Sequence, residues 1–365
     1  MAELFVPGRL CLLGEHSDWA GGKHRLANEN IPKGYCVVCA TNEGLYGRVQ
    51  PFNDNMLRYE HIDGVSGDVS VLEVSLDNPH KILAMAKERG FFSYVCGTVH
   101  HMLPMLPALP IRKGVLICNY RTTLPMKKGL SSSAAICVLV ARALDTFYSL
   151  RLDRDTVMDC AFQGEISTGV QCGRMDQAVA MGANKVGLME FDGDRCVLSD
   201  IAVGATLHFV VVDLRRGKDT AKILADLNAC FPFPRDATQR KMHTYVERNV
   251  ELVLNAVAAI RGGQVGQLSE CMRLAQESFD ACAIENCPDQ LTAPRLHGIM
   301  GDESLRAVSL AVKGVGSQGD GCAQVLCAGP AEQARSLEVL RSLGCEGFLL
   351  TVPATEGLPA GGEEA

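Results

Sequence analysis

The stretch from Gly114 to Leu150 limits this chain more than any other. "GVLICNYRTTL" (114–124) has the branched and aromatic content of a strand and runs straight into "LPMKKGLSSSAA" (124–135), which is rich in small residues. "SAAICVLVARALDTFYSL" (133–150) follows, apolar almost all round. A helix with so little polar surface has to be covered on nearly every side, so it predicts a buried helix. Small residues where that helix begins carry little packing surface, and their place there needs another reason.

With 365 residues the chain exceeds what one hydrophobic core usually organises, which favours two lobes with a cleft. No apolar stretch reaches the length of a membrane span, and the start, "MAELFVPGRLCLLGEH", lacks the basic and long apolar regions of a signal peptide. These features predict a cytoplasmic protein that crosses no membrane. Sixteen cysteines scattered through apolar segments predict reduced, buried thiols. The close pair Cys36 and Cys39 lies in a Val-rich strand-like run without a second pair at zinc-site spacing, which favours core packing. A net charge of −7 argues against a nucleic-acid surface, so an anionic ligand needs a local site.

Along the chain, 4–13 reads as a strand and "GEHSDWAGGKHR" (14–25) as a polar, glycine-rich loop. Residues 34–51 read as two strands around an Asn-Glu-Gly turn, 68–76 as a strand, and 78–103 as two helices broken at Gly90. A helix is expected over 155–168, a hairpin from "KVGLMEFD" and "CVLSDIAV", a central strand in "ATLHFVVVDLRRGK", and a helical hairpin over 236–283. "ESLRAVSLAVKGVGSQGDGCAQVLCAG" gives helix, glycine-rich turn and strand, and residues 353–365 a small, acidic, disordered tail.

Four segments concentrate chemistry. At the head of the buried helix, small serines let backbone approach an anion, and the free N–H groups with the helix dipole favour phosphate, with Lys127 and Lys128 adding charge. An ordinary Ser N-cap on a core helix explains the same residues. "PGRLCLLGEHSDWAGG" (7–22) groups Arg9, Glu15, His16 and Asp18, a set suited to sugar or polyol hydroxyls and equally possible on a solvated loop. In "AFQGEISTGVQCGRMDQAV" (161–179), Glu165 and Asp176 are spaced so that a helix end and a turn can bring both to one pocket, one for Mg²⁺ and one for a hydroxyl. "VKGVGSQGDGCAQ" (312–324) is a glycine-rich turn that can cover a ligand or simply connect two elements.

Taken in order, these segments resemble the motifs of the GHMP kinase superfamily, and the first and third are similar to those of galactokinases. The resemblance spans residue 6 to about 328. It implies a two-lobed α/β (α+β) fold: a ribosomal-S5-like N-terminal domain (1–200), a ferredoxin-like C-terminal domain (201–352), and a cleft between them. It further implies an ATP- and Mg²⁺-dependent kinase acting on a hydroxyl of a small sugar, above all the anomeric C1-OH of a galactose-, arabinose- or uronic-acid-type monosaccharide. Mevalonate kinase and a catalytically silent sugar- and nucleotide-binding regulator share the motifs. On the resemblance, Asp176 and Arg9 are catalytic, and Lys127, Lys128, Gly129, Leu130, Ser131, Ser132, Ser133 and Ala134 hold the nucleotide. Ser133 and Glu165 hold the metal, while Glu15, His16, Asp18, Gly173 and Asp176 bind substrate. The chain departs from the pattern at Met126, Lys127 and Lys128, where the family has small residues, at Trp19 in place of tyrosine, and at Asp320, an acid inside the glycine-rich turn.

Overall fold

The computed structural model describes residues 1–64, 66–108, 113–124, 130–170 and 172–356, and among these described residues it has eleven strands with helices between them. Internal contacts gather it into two units, Met1–Arg9 with Ala40–Ala183, and Leu10–Cys39 with Asn184–Ala365. Neither unit is contiguous in sequence.

The strands of the first part of the chain are β1 (Ala2–Leu13), β2 (Gly34–Phe52), β3 (Met56–Ile62), β4 (Val69–Ser75) and β5 (Gly114–Thr122). In the first unit the later half of β2 pairs antiparallel with β5, β5 parallel with β3, and β3 antiparallel with β4, while β1 pairs with β2. The two helices expected around Gly90 are Pro79–Lys87 and Ser93–Met102, and the apolar helix is Ser132–Tyr148. Nine of that helix's residues are buried, among them Cys137 to Ala141 without interruption, as its composition requires. The expected helix over 155–168 is Arg154–Ile166, started by Asp153, whose carboxylate accepts the Thr156 N–H at 2.8 Å. It lies close against Ser93–Met102 because two glycines face each other: a Cβ on Gly97 would stand 2.1 Å from the Gly164 carbonyl oxygen.

Residues 34–51 were expected to form two strands, yet β2 runs unbroken. The glycine there marks a close approach rather than a reversal. The Gly44 carbonyl accepts the Thr123 N–H and the Gly44 N–H donates to the Thr123 hydroxyl, both at 3.0 Å, and a Cβ at Gly44 would lie 2.3 Å from the Val6 carbonyl oxygen.

In the second unit, Gly34–Cys39 of β2 pairs with β6 (Val186–Asp192), which forms the expected hairpin with β7 (Arg195–Ile201). The remaining strands are β8 (Leu207–Asp213), β9 (Ala311–Gly314), β10 (Cys322–Cys327) and β11 (Glu346–Val352), antiparallel in the order β11-β8-β10-β9. Helices Ala237–Arg261 and Val265–Ala283 fall between β8 and β9, and Pro330–Ser342 between β10 and β11. This βαββαβ chain with strand order 4-1-3-2 is the ferredoxin-like arrangement. β8 is central, as its hydrophobicity predicts, and Val210, Val212 and Val325 pack with Leu296, Ile299 and Leu340. The expected loop after β1 is largely short helical turns, Ser17–Trp19 and Arg25–Ala27, with Ala20–His24 wound more loosely between them. Trp19 and Ala20 pack on Phe231, Tyr245 and Phe279, so burial of an apolar face winds a segment that reads as polar. Thr355 is tied to Val203, each accepting from the other's backbone N–H at 2.8 Å, whereas residues 357–365 of the expected tail lie outside the described residues.

Polar pairing links helices to the sheet. His297 Nε2 donates to Asp280 at 3.0 Å and its Nδ1 faces the Thr292 carbonyl at 2.9 Å. Gln276 donates to the other Asp280 oxygen and accepts the Gly314 N–H, both at 2.8 Å. The Asp280 hydrogen bond raises the His297 pKa from 6.5 to about 9 against the opposing effect of burial. A proton held more tightly when folded stabilises fully below the unfolded value, and that contribution is lost as pH rises through 9. Allowing for solvent screening at this partly exposed pair, His297→Gln is expected to lower urea-unfolding stability by about 1 kcal/mol near about pH 6 and by little near about pH 9.5. Equal losses at both would show that the charge is irrelevant.

Candidate active site

In the first unit, the site residues come from four elements that the fold draws together. The Arg9 N–H donates to the Leu130 carbonyl at 3.1 Å, which fixes the Pro-Gly-Arg strand against the start of helix Ser132–Tyr148. From there the buried Arg9 guanidinium forms an ion pair with Asp176, whose side chain is 32% exposed. Asp176 opens a 3₁₀ turn, Asp176–Met181, anchored from below where Arg142 donates to the Ala180 carbonyl. Gln177, the next residue, donates to Glu165 Oε2 at 2.8 Å, and Ser133 donates to Glu165 Oε1 at 2.5 Å. Glu165 is buried, and burial raises its pKa while Ser133, Gln177 and Arg9 pull it back.

The serine cluster is not a conventional cap. Helices at Pro79, Arg154 and Ala237 each have an Asn or Asp side chain bonded to an early N–H, but Ser131 makes no such bond. It sits instead at φ 62°, a left-handed conformation that costs a non-glycine residue about 1 kcal/mol or more. The hydroxyls of Ser131 and Ser132 are buried without a hydrogen-bond partner among the described residues. Uncapped N–H groups and unpaired hydroxyls at one helix start suit an anion, which favours the phosphate reading over an ordinary cap. Leu130 and Ala134 are buried beside them, and Lys127, Lys128 and Gly129 lie outside the described residues.

Magnesium asks for hard oxygen donors, usually one or two carboxylates plus phosphate oxygens. The Ser133 hydroxyl and the Glu165 carboxylate supply that chemistry, and a buried carboxylate with a raised pKa is one that a divalent cation would favour in its ionised form. These residues fit the ion. No cluster of three or more His, Cys, Asp or Glu among the described residues is arranged to hold a metal.

In the second unit, the residues after β1 are set by burial. Glu15 forms an ion pair with Lys313 of β9, both almost wholly buried, and its carbonyl accepts from Tyr245 at 3.0 Å. His16 stacks on Phe279 with ring centroids 5.5 Å apart and accepts from Trp19 Nε1 at 3.3 Å. Burial, with Lys218 and Lys313 nearby, lowers its pKa to about 3, so the ring is neutral at ordinary pH. Its Nε2 is buried without a partner. Asp18, half-buried in the turn Ser17–Trp19, is the more accessible carboxylate, and Gly173 in the first unit is also half-buried.

Reading from sequence missed Gln177, Lys313 and Tyr94. Tyr94 is half-buried beside Glu165 and hydrogen-bonded to Ser133, with burial raising its pKa. Gln177 was within reach of a sequence reading, since it adjoins Asp176. Lys313 was not, because its partner is 298 positions away. Among the described residues none of the sixteen cysteines forms a disulfide, Cys36 and Cys39 lie in the core, and burial pushes the Cys39 thiol up to about 12. No helix among the described residues is long and apolar enough to cross a membrane.

Removing the ammonium of Lys313 takes from the buried Glu15 carboxylate its ion-pair partner. Lys313→Met is therefore expected to cost about 3–5 kcal/mol in urea unfolding, with most of the loss recovered in the Glu15→Gln, Lys313→Met double variant. A single variant as stable as the parent would rule out a tightly coupled pair.

Residues 93–183 match the family model of the GHMP kinases N terminal domain. The galactokinase of Ligilactobacillus salivarius (strain UCC118) is 30% identical over 183 residues, 50% of this chain and 42% of that protein. The galactokinase of Streptococcus mutans is 27% identical over 284 residues, 77% of this chain and 62% of its own. The chain thus spans between about two fifths and three fifths of the curated relatives it matches. Among solved structures, Lactococcus lactis galactokinase complexed with galactose superposes with a TM-score of 0.71 at 18% identity, over 96% of this chain and 93% of that one. Methanococcus jannaschii mevalonate kinase gives 0.70 at 15%, over 97% and 98%. At such identities the superpositions speak for the fold, and the two neighbours fit it equally well. The chain has the fold shared by these kinase structures, its residues 93–183 are similar to the GHMP kinase N-terminal domain, and its sequence is similar to that of galactokinases.

Proposed function

We propose that the chain is an ATP-dependent phosphotransferase that phosphorylates a hydroxyl of a small sugar, most specifically the anomeric C1-OH of a monosaccharide. One observation carries the reading: a partly exposed carboxylate, Asp176, is fixed by the buried Arg9 in the same unit as an uncapped helix start and a Ser133–Glu165 oxygen pair. The galactokinase-like sequence supports the sugar as acceptor.

In this mechanism the acceptor oxygen forms a bond to the γ-phosphorus as the bond to the bridging oxygen of ADP breaks. The acceptor's proton passes to the Asp176 carboxylate. Arg9 keeps that carboxylate aimed, Gln177 ties its neighbour to Glu165, and the N–H groups and hydroxyls at 131–133 receive phosphate oxygens. Ser133 and Glu165 would hold Mg²⁺, which when bound neutralises phosphate charge. Asp18 is assigned to acceptor hydroxyls, while Glu15 and His16 shape the turn that carries it.

A panel of hexoses, pentoses and uronic acids with ATP and Mg²⁺, with mevalonate as comparator, tests the proposal. Turnover of at least one free sugar is expected, and turnover of mevalonate alone would sink it. Asp176→Asn should lower kcat by about 10²–10⁴-fold while the protein folds and binds ATP. Glu165→Gln is expected to raise the Mg²⁺ concentration needed for half-maximal rate by about tenfold or more, with sugar KM little changed; an unaltered Mg²⁺ dependence would remove Glu165 from that role.

A further inference from the structure

The serines at 131–133 are unequal. The hydroxyls of Ser131 and Ser132 have no hydrogen-bond partner among the described residues, while that of Ser133 has two. It donates to Glu165 Oε1 at 2.5 Å, and the phenol of Tyr94 is hydrogen-bonded to the same hydroxyl. A serine hydroxyl carries one hydrogen and an ionised carboxylate only accepts. The serine hydrogen therefore goes to Glu165, the phenol is the donor to Ser133, and one lone pair of the serine oxygen is left.

The fold holds Tyr94 from both sides. Its carbonyl accepts the Thr98 hydroxyl at 2.9 Å and, at 3.8 Å, the thiol of Cys137 from helix Ser132–Tyr148. One turn further on, Gly97 meets Gly164, the residue before Glu165, and a Cβ on Gly164 would stand 2.3 Å from the Thr98 hydroxyl oxygen. Residues three and four apart share a helix face, so the glycine contact that closes these helices also brings the phenol to the Ser133–Glu165 pair. Three helices thus meet at one serine oxygen, all within the first unit. Packing alone needs only the ring, which phenylalanine would supply; the half-buried hydroxyl of Tyr94 orients its neighbour.

Resting on the kinase reading, we propose that Tyr94 is a positioning residue for divalent-cation binding: its O–H fixes the Ser133 hydroxyl so that the serine hydrogen stays on Glu165 and the remaining lone pair is kept for the cation. Without the phenol the serine hydroxyl gains a rotational choice, which costs affinity for the cation and leaves the contacts of the nucleotide itself in place.

Mn²⁺ stands in for Mg²⁺ because it shares the preference for oxygen donors. Its binding to the full chain in the presence of ADP is read from the loss of the free-ion EPR signal, without sugar or turnover. Tyr94→Phe is expected to raise the Mn²⁺ concentration for half-occupancy about three- to tenfold, with metal-free ADP affinity unchanged. Ser133→Ala should weaken Mn²⁺ binding by itself, and adding Tyr94→Phe to it should change nothing further, because the phenol acts through the serine. Ser133→Gly serves where Ser133→Ala does not fold. Parental Mn²⁺ affinity in Tyr94→Phe, or the same loss with and without the serine hydroxyl, overturns the proposal and leaves Tyr94 a packing residue. A Tyr94→Phe chain that does not fold overturns it too, since the oxygen would then belong to the fold. Coupling between Tyr94 and Ser133 in a chain that phosphorylates no sugar retains this inference and ends the sugar-kinase reading. A sugar kinase whose Mn²⁺ affinity is indifferent to Tyr94 does the reverse, and a parent chain that binds no Mn²⁺ with ADP ends both.

Discussion

The first unit depends on a single buried carboxylate. Glu165 receives Ser133 from one helix and Gln177 from the 3₁₀ turn, and it stands on a third element whose neighbour approaches through paired glycines. A buried carboxylate must be satisfied on both oxygens or be neutralised. That requirement sets the spacing of the elements that carry Ser133 and Asp176, so the packing of Gly97 against Gly164 reaches Asp176 through one side chain. The same burial that makes Glu165 costly without partners suits it to a divalent cation.

The second unit solves a similar problem differently. Glu15 and Lys313 neutralise each other almost wholly out of water, and Tyr245 and Asn249 hold the backbone of the same turn. Glu15 is thereby spent on anchoring, and the half-buried Asp18, three positions on, is left as the more accessible acid. A loop sequence that looks uniformly polar is divided by burial into anchoring and accessible side chains.

Helix existence was legible in the sequence wherever an apolar face repeated, as in Ser132–Tyr148 and the hairpin 237–283, because burial of that face decides the structure. The reading failed where a local signal had a distant cause. Gly44 resembles a turn residue but is small because β1 crosses it, and the polar residues after Gly14 wind into helical turns because Trp19 finds an apolar pocket more than two hundred positions on. The candidate site divides the same way. Arg9, Ser133, Glu165 and Asp176 lie in dense motifs that a sequence displays, whereas Lys313 is a single lysine whose meaning lies in the distant carboxylate beside it.

Asp320 shows why position in a motif does not settle electrostatics. An acid within a glycine-rich turn beside an anion site would repel the ligand if it faced inward, but this carboxylate spends its acceptor on the Leu296 N–H, at a helix start where negative charge is favourable. The carboxylate is thereby engaged at that helix start, while the Gln318 carbonyl holds Lys218 across the same turn at 2.8 Å. A net charge of −7 gives an anion no overall long-range attraction, so holding an anionic ligand falls to short-range contacts, where screening by salt is weakest.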